Sequence, residues 1–266
     1  MTYPPADHAV LSIKPTTDWS PEPISPLRTT TLIRVEARKI LDTASGRGIL
    51  IAVAALAVVV SIWQSFTLDQ DQLSVSMFLM GPVQMVIMII PLIGLLTMTS
   101  EFTQRTALTT FTLAPWRLRV LWAKAVAATA VTVAATIASV AIAVIGAFVT
   151  SAVTDTPAVY AGTMNTVRGL LLASILTSIL GLAIGALIPQ TAIAASVYFV
   201  APVAFGALAV AVLTDAAPWF DIFTTFDRLA SNDPFAQLGQ TATALTIWIV
   251  LPAALGAVRA VRREVK

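Results

Sequence analysis

Hydrophobic positions in this chain come in long blocks rather than in short alternation. Five windows contain no Asp, Glu, Lys or Arg: 48–68, 72–100, 125–154, 169–214 and 234–258. A helix needs about 20 apolar residues to cross roughly 30 Å of hydrocarbon. A charge at its centre costs about 2.5–3.5 kcal/mol. Four of the windows have the length of one span. The window 169–214 is long enough for two, with a break at Pro189, Gln190 and Thr191, where proline and polar residues suit a short turn. The pattern predicts an all-α membrane protein with six transmembrane helices. They fall at about 48–67, 77–98, 122–149, 167–188, 191–213 and 239–260.

The charges between the blocks support that number. Lys and Arg favour the cytoplasmic flanks of spans. With six spans, every one of the 16 Lys and Arg residues except Arg168 and Arg228 falls on one side. The other side holds Asp69, Asp71, Asp155, Asp215, Asp221, Asp227 and Asp233. Five spans would translocate the basic stretch Arg259, Arg262, Arg263 and Lys266. Both termini are therefore expected to be cytoplasmic. Residues 1–27 hold six prolines and no apolar run, which predicts a flexible cytoplasmic tail rather than a signal peptide.

Composition narrows the chemistry. The chain is 57% hydrophobic and only 11% charged, with a mean hydropathy of +0.85. A soluble domain carries about 25% charged residues to hydrate its surface, so a soluble enzyme is excluded. There is no cysteine, and the one histidine, His8, lies in the proline-rich tail. Neither a histidine-based triad nor a multi-histidine metal site can be assembled. No ionisable residue falls near the centre of a predicted span. That disfavours both an ion-coupled secondary transporter and an intramembrane hydrolase. No Gly-rich loop followed by Lys and Ser or Thr occurs, so no nucleotide-binding site is expected on this chain.

Four features remain as candidate chemistry. In segment 28–46, Leu32, Ile33, Val35, Ile40 and Leu41 interleave with Arg34, Glu36, Arg38 and Lys39. This fits an amphipathic helix in the membrane interface, and it equally fits a plain topology signal. Glu36 can pair with Lys39 three residues on, for a few tenths of a kcal/mol. In the loop 99–124, Trp116, Arg117, Arg119, Trp122 and Lys124 form an aromatic and cationic girdle beyond Pro115. Phe102, Leu108 and Phe111 either pack on the membrane or fill a partner's groove. In the fourth span, Gly169, Ala173, Thr177, Gly181 and Gly185 recur every four residues and make a flat face. That face serves packing within the chain, a subunit interface or a pathway. In the outer loop 214–240, Trp219, Phe220, Phe223 and Phe226 fall on one side if the segment is a helix. Such an element caps an exit or anchors the loop in lipid.

The stretch Leu-Thr-Met-Thr-Ser-Glu101-Phe102-Thr-Gln-Arg105-Thr106, followed by Leu-Ala-Pro115-Trp-Arg117-Leu-Arg119-Val-Leu-Trp-Ala-Lys124, resembles the permease subunits of type-2 ATP-binding-cassette exporters. The resemblance covers about residues 28–264. Arg105 stands where such proteins often carry Gly. The resemblance implies a permease domain over 28–266, with an elbow helix at 28–46 carrying Arg34, Glu36, Arg38 and Lys39. It implies a coupling loop at 99–120 in which Glu101, Phe102, Arg105, Thr106, Pro115 and Arg117 meet a separate ATPase. It implies an outer gate at 214–240, and a multi-pass place in the plasma (inner) membrane. Two permeases, alike or different, and two ATPase subunits would assemble in the lipid. ATP and Mg would sit on the ATPase partner, this chain would bind no cofactor and catalyse no reaction, and no nucleic acid is expected. The expected cargo is amphipathic or lipid-like (a drug, antibiotic or lipid), moved outward. The alternative is a non-transporting membrane scaffold or immunity-type protein that shares the permease fold.

Overall fold

The computed structural model describes residues 28–67, 73–103, 117–230 and 236–262. The chain runs through helices α1 (Thr29–Asp42), α2 (Ala44–Thr67), α3 (Val75–Ile89), α4 (Pro91–Thr103), α5 (Arg117–Thr154), α6 (Thr163–Leu187) and α7 (Thr191–Leu213). It then forms a 3-10 turn (Thr214–Trp219), helices α8 (Ile222–Ala230) and α9 (Leu238–Leu245), a π-helical turn (Thr246–Val250) and α10 (Leu251–Arg262). Six of its helical segments are long and apolar enough to cross a membrane, so this is a multi-pass membrane protein. The turn at 188–190 divides the long window as the sequence predicts, with α6 ending at Leu187 and α7 starting at Thr191.

Two spans depart from the simple reading. The second is bent. Pro91 has no N–H to continue the ladder, so α3 ends at Ile89 and α4 restarts at Pro91. The third is longer than its apolar window. α5 has 38 residues, roughly 57 Å at 1.5 Å per residue, and reaches beyond the hydrocarbon.

α6 is the central element. Of its most apolar window 61% is buried, more than for any other span. The four-residue row explains this, because Gly169, Ala173, Thr177, Gly181 and Gly185 are all buried. A Cβ on Gly181 would overlap the Pro91 carbonyl oxygen. One on Gly185 would lie 2.8 Å from the Leu95 carbonyl oxygen, and one on Gly94 would lie 3.2 Å from that of Ser178. Small residues on both helices thus let the α4 and α6 backbones nearly touch, as in small-residue membrane crossings. The row serves packing within the chain.

Many hydroxyl groups in the spans find partners close by. Ser61, Thr136, Ser139 and Thr150 donate to carbonyls four residues back. Others join helices: Ser65 meets Thr150 at 2.8 Å, and Thr132 donates to Ser178 at 3.2 Å. In lipid no water competes for these groups, so internal partners are required. Beyond the spans, two short parallel strands, β1 (Leu73–Ser74) and β2 (Ala158–Val159), clasp the connections that follow α2 and α5.

Candidate functional site: the polar junction of α1, α4 and α5

At one end of the bundle three helices meet around Glu36. On α1, Ile33, Glu36 and Ile40 fall on one face by helical spacing. Ile33 and Ile40 pack in a cluster with Ile93, Met98 and Ala127, and this carries the carboxylate inward with them. Glu36 is only 5% exposed. Its Oε1 accepts from Lys39 Nζ at 2.7 Å, and its Oε2 accepts from Lys124 Nζ at 2.9 Å. Lys124 Nζ also donates to the Thr97 carbonyl of α4 at 3.4 Å. Two further bonds fasten the same end. Arg119 Nε donates to Thr29 Oγ1 at 2.9 Å, and Thr191 Oγ1 donates to Thr99 Oγ1 at 2.9 Å.

The electrostatics follow from this burial. Loss of water raises the Glu36 carboxyl, but Lys124, and then Lys39, outweigh that and hold it below its ordinary value. A carboxylate lowered on folding contributes stability that is fully present above its unfolded pKa, about 4.3. That contribution is lost as pH falls through the lower folded value. The melting midpoint is therefore expected to fall on acidification below about pH 4.3, and to fall less steeply in Glu36→Gln. Thermal unfolding in detergent across that range measures it, and parallel curves for the two proteins would remove Glu36 as the titrating group.

This geometry revises two expectations. Lys124 is not a girdle residue: its side chain is 4% exposed and serves as the inner partner of Glu36. The Glu36 and Lys39 pair is not an isolated surface contact, because Glu36 also bridges to α5 and has both oxygens engaged. The remaining charges of α1 divide by face, with Arg34 and Arg38 exposed and Lys39 half-exposed. Glu101 and Phe102 fall within α4, and Arg117 begins α5. Arg105, Thr106 and Pro115 lie outside the described residues, as does the tail 1–27.

Residues 214–230 are organised differently from the expected arc. Trp219 ends the 3-10 turn and Phe220 lies in the break after it, so the four aromatics do not share one helix. Asp221 makes the break. Its carboxylate accepts from the Phe223 N–H at 3.0 Å and the Thr224 N–H at 3.4 Å, capping the start of α8. The inward face of α8 is instead Ile222, Thr225, Phe226 and Leu229, at helical spacing, with Ile222 and Thr225 fully buried. Phe226 packs on the core cluster of Phe78 and Leu79, whereas Trp219 and Phe223 are exposed. The cap is tied down by Trp248, whose Nε1 donates to the Phe220 carbonyl at 2.7 Å, and by Arg228, which donates to the Pro218 carbonyl at 2.8 Å. Phe205 stands edge-on between the Phe220 and Trp248 rings.

No family model and no curated protein matches the chain. Among the described residues no group of three or more His, Cys, Asp or Glu is placed to hold a metal ion. Sequence reasoning missed Thr97, Thr99 and Thr191 as junction residues, and Lys124 as a buried one. One signal for Glu36 was present: a carboxylate in phase with Ile33 and Ile40 on an apolar stripe needs a partner there.

Proposed function

We propose that this chain is the membrane-spanning permease subunit of an ATP-driven exporter of the type-2 ATP-binding-cassette class. In this reading α1 is the elbow helix, both termini are cytoplasmic, and residues 99–120 dock on a separate ATPase. The cargo is amphipathic or lipid-like, and 214–240 forms the outer gate of a permease pair. The observation that carries the reading is the Glu36, Lys124 and Thr97 junction. It ties to α1 the two helices that flank residues 104–116, so a push on that segment moves α1, α4 and α5 together. The close crossing of α4 on α6 offers a packed contact that passes such a push to the centre of the bundle. Packed contacts of this kind switch between discrete arrangements rather than deforming continuously.

The test is co-purification and coupling. The full chain, affinity-purified from its native membrane, is expected to bring down an ATPase with a nucleotide-binding loop and to stimulate its hydrolysis. Glu101→Arg is expected to lower that stimulation by roughly tenfold or more, the scale of a lost interfacial charge pair. Failure to recover any ATPase would favour the scaffold or immunity-type alternative. Full stimulation by Glu101→Arg in a normal assembly would remove the lever.

A further inference from the structure

We infer that α5, α6 and α10 form a lateral site for an anionic phospholipid. A groove of about 870 Å³ runs between them and opens sideways from the bundle. That volume falls within the roughly 300–1,000 Å³ of ordinary ligand sites, which are mostly apolar with a few placed polar groups. Alanines create the space. Ala130 and Ala134 of α5 face Ala183 and Ala186 of α6, and Ala253 and Ala257 of α10 close the far wall. The floor is tight, since a Cβ on Gly256 of α10 would lie 2.9 Å from the Ala186 Cβ.

The two ends of the groove differ. On α5 it extends from Trp122 to Ile137, roughly 22 Å at 1.5 Å per residue. This exceeds the roughly 15 Å of hydrocarbon in one leaflet, so an acyl chain fits lengthwise. Trp122 is 69% exposed at the mouth, and an indole with one wet edge belongs at headgroup level. Arg119 lies one turn before Trp122 and in phase with Val126 and Ile137 along α5. Its Nε is held by Thr29 of α1, and its two terminal amino groups have no partner among the described residues. A fixed guanidinium with open donors above an apolar slot complements a phosphate joined to a hydrocarbon chain. The occupant is thus a lipid of the leaflet at that end, with its phosphate on Arg119 and one chain along Ala130 and Ala134. This requires only that the chain spans a bilayer and is independent of the ATPase reading.

The experiment uses the full chain in nanodiscs. The probes are phosphatidylglycerol and phosphatidylcholine with brominated chains, and the signal is the fluorescence lost in wild type but absent in Trp122→Phe. Phosphatidylglycerol is expected to quench Trp122 at roughly fivefold lower mole fraction than phosphatidylcholine, the effect of one cation on an anionic lipid. Arg119→Gln is expected to abolish that preference while Arg119→Lys keeps most of it. Ala134→Phe, which fills the slot at an exposed position, is expected to lose the tight phase for both lipids. Equal quenching by the two lipids in wild type, or a preference that survives both Arg119→Gln and Ala134→Phe, would overturn the site. So would a change of oligomeric state in Ala134→Phe, which would show that a second copy fills the groove.

Discussion

Glu36→Leu is expected to destabilise the protein by roughly 3–5 kcal/mol, the cost of removing one member of a buried ion pair. The charge that loses Glu36 is Lys124, whose side chain is 4% exposed and which also donates to the Thr97 carbonyl at 3.4 Å. Lys124→Met is expected to cost less, because Lys39 still neutralises Glu36 from a half-exposed position. Glu36→Leu combined with Lys124→Met is expected to recover most of the loss, since apolar replacement of a whole buried pair is often neutral. The coupling is read from a double-mutant cycle of unfolding midpoints in detergent. Additive losses in that cycle would mean that the pair is not formed in the folded protein. The same variants separate stability from function. If the junction transmits the ATPase stroke, the double variant should fold but couple poorly.

The second large effect is expected at the α4 and α6 crossing. Even Gly181→Ala places a methyl group on the Pro91 carbonyl oxygen. That oxygen belongs to backbone, so no side chain can swing aside and the helices must separate. Overpacking of this kind costs about 1–3 kcal/mol, and Gly181→Leu is expected to prevent a stable fold. Gly48→Ala is the matched control, because nothing lies within 4 Å of its Cβ position. It should leave the midpoint unchanged or slightly raised, as Ala is the better helix former. Equal behaviour of Gly181→Ala and Gly48→Ala would show that the crossing is looser than described.

Much of the architecture was legible in the sequence because the bilayer imposes it. Unpaired backbone groups are not tolerated in hydrocarbon, so a charge-free run of span length has little choice but to be a helix. The break at Pro189 and Gln190 and the small-residue row of α6 were legible for the same local reasons: missing donors and missing side chains. The interruption before Pro91 had its signal too, although a single span over 77–98 passed over it. The single aromatic arc expected of residues 214–240 did not form, because Trp219, Phe220, Phe223 and Phe226 do not share one helix. Asp221 sits among them and caps a new helix, so the inward face became Ile222, Thr225, Phe226 and Leu229.

The sequence by itself determined the lipid environment, the number of apolar helices, where the long window divides, and which face of α6 is flat. These depend on properties of consecutive residues: hydropathy, side-chain size and backbone donors. Only the tertiary structure decided what those faces meet. Glu36 and Lys124 are 88 residues apart, and each alone reads as an interfacial charge. Their pairing, the contact of Gly181 with Pro91 and the alanine-lined groove arise where separate helices cross, and no local periodicity encodes which helices those are.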